Sequence, residues 1–243
     1  MQPYFLPYIG YFQLINAVDV FVPYGRCNFM VQSWVSRNRI LGPNGVFYIR
    51  PATKGASPSK IIADIMVDPA DRWRRKMFSS FKQAYSTAPY AHENWELLER
   101  IIYHQAPDLD TYNTYGIRQI VAHLGIETEI LGTQDIPATI EPHVCALTDP
   151  SQRRQTRVTE ICDAINAHAY VNPASGQHLY SADHFTPRNK SLPFLKPDMQ
   201  AVAQRLETPH ADLSIAHCLM MSGREKLREA LASCTLIPTQ PNA

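Results

Sequence analysis

The second quarter of the chain carries the clearest hydrophobic periodicity. Apolar residues recur every three or four positions in three successive segments, which predicts helices over Asp71–Tyr85, Glu93–His104 and Asp110–Leu124. Gly125 follows the third segment, as is typical of the residue at which a helix ends. We interpret this block, residues 71–124, as a helical insertion.

Shorter apolar runs elsewhere predict strands that alternate with further helices. Strands are predicted at Val20–Pro23, Arg39–Leu41, Val46–Ile49, Ile61–Val67, Thr128–Leu131, Ala169–Val171 and Leu192–Leu195, with Cys27–Trp34 as a strand or an extended loop. Helices are predicted to end near Val18, to run from a cap at Asp149 or Ser151 to about Ile165, and to cover Ser214–Met221 and Glu225–Ala232. This alternation predicts an α/β fold, a Rossmann-like three-layer sandwich with a mostly parallel sheet. We expect one domain over residues 1–237 and a flexible tail at 238–243.

Composition narrows the functional classes. The 23 basic and 22 acidic side chains give a net charge of +1, so no global field favours nucleic acid or an anionic membrane as partner. No run of apolar residues is long enough to span a bilayer, and we expect no signal peptide. The five cysteines include no CxxC pair, which predicts reduced thiols in a cytoplasmic protein.

No cofactor is identified by a motif. GxGxxG and GxxxxGK are both absent, which disfavours nicotinamide and P-loop chemistry. The histidines of the C-terminal third show no spacing typical of metal ligands, so we expect no metal site.

The opening segment Gln2–Phe12, hereafter the leader, has an unusual composition. Pro3 and Pro7 restrict the backbone, Gly10 permits close approach, and aromatic residues surround them. One interpretation is an aromatic plug that closes the core. The other is a rigid wall of a ligand pocket, with Tyr4, Tyr8 and Tyr11 as hydrogen-bond donors.

A second segment, Asn28–Ile40, places Arg37 and Arg39 on either side of Asn38 in an apolar context. Guanidinium groups in this arrangement suit a phosphate or carboxylate, although intramolecular salt bridges are an equal alternative. The predicted substrate-binding residues of both segments are Gln2, Tyr4, Tyr8, Tyr11, Arg26, Asn28, Arg37, Asn38 and Arg39.

Three residues are candidates for catalysis. His178 follows a predicted strand in a loop, and His217 lies beside the Ser214 cap; either is a candidate for proton transfer, or a surface or core histidine. Cys27 is a candidate nucleophile because the adjacent Arg26 favours a thiolate.

Several segments together resemble the WbqC-like family. They are Gln2–Gly10, the NFxxQxWxxRNRI run from Asn28 to Ile40, the helix Trp73–Tyr85 with Ala88-Pro89-Tyr90, Leu124-Gly125-Ile126, the segment Tyr170–Tyr180 and Leu213-Ser214-Ile215. The resemblance covers almost the whole chain in the right order. It implies an association with bacterial polysaccharide or specialised-metabolite pathways, with acyl or aminoacyl transfer to an amino sugar as one suggestion.

The chain departs from the family pattern at three places. Similar proteins carry Tyr-Asp-Asp where this chain has Tyr24-Gly25-Arg26, an aspartate at His217, and a histidine at Met77. Arg26 in place of an acid favours an anion there. The leader is also weakly similar to the start of HIGH-type nucleotidyltransferases, in which two histidines flank a glycine; here Tyr8 and Tyr11 would flank Gly10.

The sequence therefore predicts a biosynthetic enzyme, a transferase or condensing enzyme that acts on a small polar amino substrate. The alternative is a non-catalytic or partner-binding protein that has lost the family's acidic residues. A homodimer or a partner biosynthetic protein is compatible with either hypothesis.

Overall fold

A computed structural model describes residues 1–239. The helices are α1 (Ile9–Asn16), α2 (Asp71–Tyr85), α3 (Ala91–Tyr103), α4 (Leu109–Leu124), α5 (Ile140–Ala146), α6 (Pro150–Ala164), α7 (Ala182–Phe185), α8 (Met199–Leu206) and α9 (Ile215–Leu231). The strands are β1 (Val20–Phe21), β2 (Asn38–Gly42), β3 (Gly45–Ile49), β4 (Thr53–Lys54), β5 (Met66–Val67), β6 (Glu129–Ile130), β7 (Asn172–Pro173), β8 (Phe194–Pro197) and β9 (Cys234–Ile237).

The backbone contacts group the chain into two compact units. The first contains Met1–Thr133 and Met199–Ser233, and the second contains Gln134–Asp198 and the described residues from Cys234 onward. The expectation of a single domain stays a prediction. The predicted tail falls partly on residues 240–243, which lie outside the described residues.

The strands form several small sheets. In the first unit β1 pairs with β6 in parallel, while β2–β3 and β4–β5 are antiparallel. In the second unit β8 pairs in parallel with β7 and antiparallel with β9. The fold therefore mixes helices with small sheets, some of them parallel, as expected for an α/β protein. The Rossmann-like three-layer sandwich is not confirmed.

The long helices agree with the periodicity that predicted them. The bounds of α2 are as predicted, and its buried positions Met77, Phe81 and Tyr85 are spaced four apart. Gly125 ends α4 with φ of 67°, which confirms the predicted cap. Asp149 caps α6, since its carboxylate accepts a hydrogen bond from the backbone of Ser151.

The prediction of a strand over Ile61–Val67 was wrong for most of its length. Residues Ile62–Asp64 form a 3-10 turn, and within this segment only β5 is a strand. The reason is that the backbone N–H groups of Ile62 and Ala63 donate to the carbonyls of Cys27 and Gly25, and not to a neighbouring strand. Residues 27–34 form a loop with one isolated bridge, between Asn28 and Ile61.

One further strand prediction needs correction, and the two predicted C-terminal helices can be compared with α9. The strand expected at Ala169–Val171 lies later, at β7, and only an isolated bridge joins Ala169 to Ser191. The two predicted C-terminal helices are confirmed, since Gly223, with a non-helical φ of 77° and ψ of 172°, divides α9 into two helical parts. The ring of Tyr90 lies 2.5 Å from the position of a Cβ at Gly223, so a side chain there would displace it.

Buried side-chain amides hold the first unit together around α1, α3, α4 and α9. Gln13 donates to the carbonyls of Ala230 and Ser233 at 2.8 and 2.9 Å. Asn113 of α4 donates to the carbonyls of Pro3 and Val35 at 2.9 and 2.8 Å. Because buried backbone carbonyls are costly to leave unpaired, these amides fix the leader to the helical core.

The second unit has its own apolar cluster. Tyr170 and Tyr180 pack on buried Phe185, with ring centroids 5.9 and 6.2 Å from that of Phe185. Of the helices in residues 1–239, none is both long enough and apolar enough to cross a bilayer.

Candidate functional site

The leader is held in place by hydrogen bonds that residues elsewhere in the chain donate to its backbone carbonyl groups. Asn38 donates to the carbonyls of Phe5 and Leu6 at 3.0 and 2.6 Å, and the Ser214 hydroxyl donates to Leu6 at 2.8 Å. Ile215 N–H donates to Pro7 at 2.8 Å. Leu6 has φ of 41°, a left-handed conformation that is costly for leucine and that these bonds maintain.

A cavity of about 250 Å³ opens beside the leader. It is lined by Tyr4, Pro7, Tyr8, Trp34, Asn38 and Asp212. Three aromatic rings and one carboxylate therefore face a space that suits a small ligand. We refer to it as the leader cavity.

Arg39 lies at the edge of the leader cavity. Its Nη2 donates to Asp212 Oδ2 at 2.9 Å, and its guanidinium carbon lies 5.4 Å from the ring centroid of Trp34. Both contacts are to cavity-lining residues, so the structure brings Arg39 together with the leader.

Arg37 is placed differently. Its guanidinium carbon lies 4.2 Å from the ring centroid of Tyr48 on β3, and Nη1 donates to Gln32 at 3.5 Å. Arg37 does not line the leader cavity. Asn38, between the two arginines, is buried. Its Oδ1 accepts from the backbone N–H of Arg39, and its Nδ2 donates to the carbonyls of Phe5 and Leu6, so this amide supports the leader.

The tyrosines of the leader divide into two kinds. Tyr11 is buried, and its hydroxyl donates to the carbonyl of Gln2 at 2.8 Å, so it braces the leader from inside. Tyr4 and Tyr8 line the cavity, and burial raises the pKa of both. They are neutral hydrogen-bond donors at pH 7.

Cys27 lies next to the leader on the loop after β1. Its Sγ lies 3.3 Å from the carbonyl of Tyr24 and accepts a weak bond from Nε2 of Gln2 at 3.7 Å. The Cys27 thiol also lies close enough to Tyr4 to contribute to the raised pKa of that phenol. Asn28, the following residue, is exposed and forms the bridge to Ile61.

His217 is buried in the first turn of α9, with 1% of its surface exposed. Its Nδ1 lies 3.0 Å from the hydroxyl of Tyr85, whose oxygen accepts the N–H of Leu41 at 3.2 Å. The Tyr85 hydroxyl and Nδ1 of His217 therefore share one hydrogen bond, and the tautomer of the imidazole decides which of the two atoms donates.

This environment defines what His217 can do. Nε2 has no hydrogen-bond partner within the described residues. Burial, reinforced by His210, lowers the pKa of His217 to about 4. At neutral pH the imidazole is therefore uncharged, and it uses Nδ1 for the hydrogen bond with Tyr85.

His178 lies in the second unit, in the 3-10 segment Ala174–Leu179, where it is exposed. The other predicted site residues belong to the first unit. The role of His178 in proton transfer stays a prediction.

Sequence reasoning missed an acid. Asp110, in the first turn of α4, is 6% exposed, and a Cβ built on Gly25 would lie 2.4 Å from its Cγ. Burial raises the pKa of Asp110 to about 6, against the opposing effects of a hydrogen bond with Thr133 and the charge of Arg26. An aspartate at the start of a helix is usually interpreted as a residue that stabilises the helix terminus, so the sequence pattern did not identify Asp110 as a candidate site residue.

Asp212 and Trp34 were also missed. Trp34 lies within the Asn28–Ile40 motif, whereas Asp212 lies one residue before the Leu213-Ser214-Ile215 motif, outside the segments that carry the family resemblance. Among residues 1–239, no group of three or more His, Cys, Asp or Glu side chains is arranged to hold a metal ion.

Comparison with known proteins identifies the family of this chain. The model of the WbqC-like protein family matches residues 2–229. The uncharacterized protein Rv1507c of Mycobacterium tuberculosis (strain ATCC 25618 / H37Rv) is 26% identical over 180 residues, which cover 73% of this chain and 72% of that protein. No solved structure matches. The similarity to HIGH-type nucleotidyltransferases is not confirmed by these matches. The match over nearly the whole length shows that the chain belongs to the WbqC-like protein family.

Proposed function

We propose that this chain is a biosynthetic enzyme, a transferase or condensing enzyme, that binds a small polar amino substrate such as an amino sugar in the leader cavity. Acyl or aminoacyl transfer to that amine is the reaction class we favour. The observation that carries the proposal is the pairing of three aromatic walls with the single carboxylate of Asp212 in a cavity of about 250 Å³.

The walls suit the apolar faces of a sugar ring. Trp34 is 40% exposed although it is large and apolar, so binding a ligand would remove exposed aromatic surface from water. A cavity of this volume lies slightly below the usual range for drug-sized ligands, which favours a single-ring substrate.

The polar groups suit hydroxyl and ammonium groups. Asp212 uses Oδ2 for Arg39 and is 59% exposed, so Oδ1 can accept from a ligand. No described residue accepts a hydrogen bond from the hydroxyl of Tyr4 or Tyr8, so both donors are available to a ligand. The positive charge of Arg39 beside Asp212 suits a negatively polarised carbonyl or phosphate of a donor molecule.

Calorimetric titration with glucosamine and with glucose tests the proposal. We expect the wild-type protein to bind glucosamine more tightly than glucose, because only the amine is cationic. Asp212→Asn should weaken glucosamine binding by roughly 10-fold or more, the usual cost of losing a charged hydrogen bond. Trp34→Ala should weaken both sugars.

Two matched variants control for indirect effects. Glu207→Gln breaks another exposed ion pair of the same unit, to Lys226 at 2.6 Å. Met221→Ala truncates a side chain that is 39% exposed, as Trp34 is 40% exposed. Both controls should bind as the wild type does. Equal affinity for the two sugars, or an unchanged affinity in Asp212→Asn, would refute the amino-substrate proposal.

A partner-binding role is a second candidate, favoured by exposed apolar side chains on the loop 27–34 and on β3. Met30, Val31, Val46 and Tyr48 are 63, 58, 46 and 44% exposed. Exposed apolar residues that cluster on one part of a surface are typical of interaction sites. Sedimentation of the wild type and of a Met30→Ser/Val31→Ser variant tests the homodimer version: a dimer lost in the variant supports it, and a monomeric wild type contradicts it.

A further inference from the structure

The ring of Tyr8 lies over the first turn of α1. Tyr8 is the residue that precedes this helix, and its side chain reaches forward to Gly10, two residues later. A Cβ built on Gly10 would lie 2.5 Å from Cε2, 2.5 Å from Cζ and 2.6 Å from Oη of Tyr8. Real Cβ atoms do not make contacts below 3 Å, so the ring occupies this place only because residue 10 has no side chain.

The backbone that carries the ring is fixed. The carbonyl of Pro7 accepts the N–H of Ile215 at 2.8 Å, and the carbonyl of Tyr8 accepts the N–H of Tyr11 at 3.1 Å. Gly10 is buried in α1 and is not among the glycines with a positive φ, so its backbone conformation is one that alanine also adopts. A side chain at residue 10 would therefore displace the ring of Tyr8, and the backbone would stay in place.

The leader cavity is the space that lies open to a displaced ring. Tyr8 lines this cavity of about 250 Å³ together with Tyr4, Pro7 and Trp34. A phenol ring that rotates into so small a cavity would fill a large part of it. The present position of the ring also keeps its hydroxyl near that of Tyr4, since Tyr8 contributes to the raised pKa of Tyr4.

We propose that Gly10 is a positioning residue that determines the specificity of the leader cavity through its shape: it allows the ring of Tyr8 to lie against α1, which keeps the cavity open to a single-ring ligand. The identity of that ligand rests on the proposed function, whereas the position of the ring does not. Gly10 does not line the cavity. Its effect should therefore pass through Tyr8 alone, and should disappear when the far end of that ring is removed.

Calorimetric titration of Gly10→Ala is the first test. The affinities for glucosamine and glucose should both fall by roughly 10-fold or more, because an overfilled cavity affects both sugars and the charge of Asp212 is unchanged. The melting temperature should stay close to that of the wild type, because alanine favours a helix and the end of a side chain can rotate.

Two backgrounds identify the part of Tyr8 that is responsible. Tyr8→Leu removes Cε2, Cζ and Oη, the atoms that meet residue 10, so adding Gly10→Ala should change the affinity by less than about 2-fold. Tyr8→Phe keeps Cε2 and Cζ, so adding Gly10→Ala should weaken binding as it does in the wild type. Equal effects of Gly10→Ala in the two backgrounds would show that residue 10 acts independently of the ring, and would overturn the proposal.

The position of the ring can also be measured without a ligand. Protein labelled with 5-fluorotryptophan contains three fluorinated tryptophans, and Trp34→Phe identifies the ¹⁹F NMR signal of Trp34. Trp34 is 40% exposed, so a paramagnetic additive in the solvent should broaden its signal. Gly10→Ala should reduce this broadening, because the displaced ring covers Trp34, and Tyr8→Leu/Gly10→Ala should restore it. Trp73 and Trp95, which do not line the cavity, are the internal reference.

The two measurements distinguish this proposal from the proposed function. If neither sugar binds to the wild type and Gly10→Ala still protects Trp34 from the additive, only the proposed function is refuted. If the wild type binds the sugars, an unchanged affinity or an unchanged Trp34 signal in Gly10→Ala refutes only the role of Gly10. If Gly10→Ala does not fold, Tyr8→Leu/Gly10→Ala decides the result: it should fold, and an unfolded double variant overturns the proposal.

Discussion

The starts of α4 and α9 each bury one titratable side chain, and burial acts on them in opposite directions. Asp110 is 6% exposed and has a pKa raised to about 6, whereas His217 is 1% exposed and has a pKa lowered to about 4. Loss of solvent disfavours the charged form of both groups. Burial thereby moves the pKa of Asp110 towards neutral pH and moves the pKa of His217 away from neutral pH.

This difference reverses the ranking that residue type suggests. Histidine is the usual candidate for proton transfer at neutral pH because its ordinary pKa is near 6.5. In this fold the aspartate is the group with a pKa in that range, and His217 stays neutral. Residue type therefore identifies a candidate, and the surroundings decide its chemistry.

The largest expected change in stability comes from removing the hydrogen bond between Tyr85 and His217. Tyr85→Phe leaves both Leu41 N–H and His217 Nδ1 without a buried partner. We expect the free energy of unfolding in urea to fall by roughly 2–4 kcal/mol, the cost of two unsatisfied groups. The control is Tyr103→Phe, on a half-buried tyrosine, which should change stability by less than about 0.5 kcal/mol. Equal losses in the two variants would contradict the network.

The next effect is a dependence of stability on pH that belongs to His217. In the unfolded chain the imidazole binds a proton below about pH 6.5, but in the folded protein only below about pH 4. Its contribution is therefore complete above pH 6.5 and is lost as the pH falls towards 4, by up to about 3 kcal/mol. Urea unfolding of the wild type and of His217→Gln between pH 4.5 and 7.5 measures it. Parallel curves would show that His217 is not buried as a neutral group.

The contribution of Asp110 to stability should depend on pH with the opposite sign to that of His217. Its folded pKa lies above the unfolded value of about 3.9, so ionisation favours the unfolded chain and stability is lost as the pH rises from about 4 to about 6. Asp110→Asn should therefore raise the free energy of unfolding at pH 8 by up to about 2–3 kcal/mol. The gain should shrink to nearly zero at pH 4. A variant less stable than the wild type at pH 8 would show that the ionised carboxylate is well compensated.

The smallest effect on stability is expected at the exposed edge of the cavity. Arg39→Ala removes an ion pair whose side chains are 31% and 59% exposed, and such pairs contribute little. We expect a change below about 1 kcal/mol, together with loss of the proposed activity or binding. Thermal unfolding and sugar titration of the same preparation check both parts. A large loss of stability would assign Arg39 to structure instead.

Local patterns account for the part of the fold that the sequence predicts well. The spacing of Met77, Phe81 and Tyr85 determines one face of α2, and the residues 42–45 determine the β2–β3 hairpin. The same local reasoning fails for Ile61–Val67, because its backbone donors are used by a turn more than 30 residues earlier. Apolar alternation describes burial and does not identify a hydrogen-bonding partner.

The candidate site shows the same limit. The composition of the leader pointed to Tyr4 and Tyr8, which line the cavity, but it could not separate them from Tyr11, which is buried. The contact between Gly25 and Asp110 joins residues 85 positions apart, so no local pattern contains it. Tertiary contacts of this kind decide which polar residues of a motif face a ligand.

The hydrogen bonds that hold the leader also constrain the order in which the protein folds during its synthesis. The carbonyls of Leu6 and Pro7 receive their partners from Ser214 and Ile215, more than 200 residues later in synthesis. During translation the left-handed backbone at Leu6 can gain its hydrogen bond from Asn38 early, but it lacks the one from Ser214 until the start of α9 has left the ribosome. Because closing so long a loop is slow, the binding surface at the amino terminus should be among the last parts of the molecule to acquire its native form.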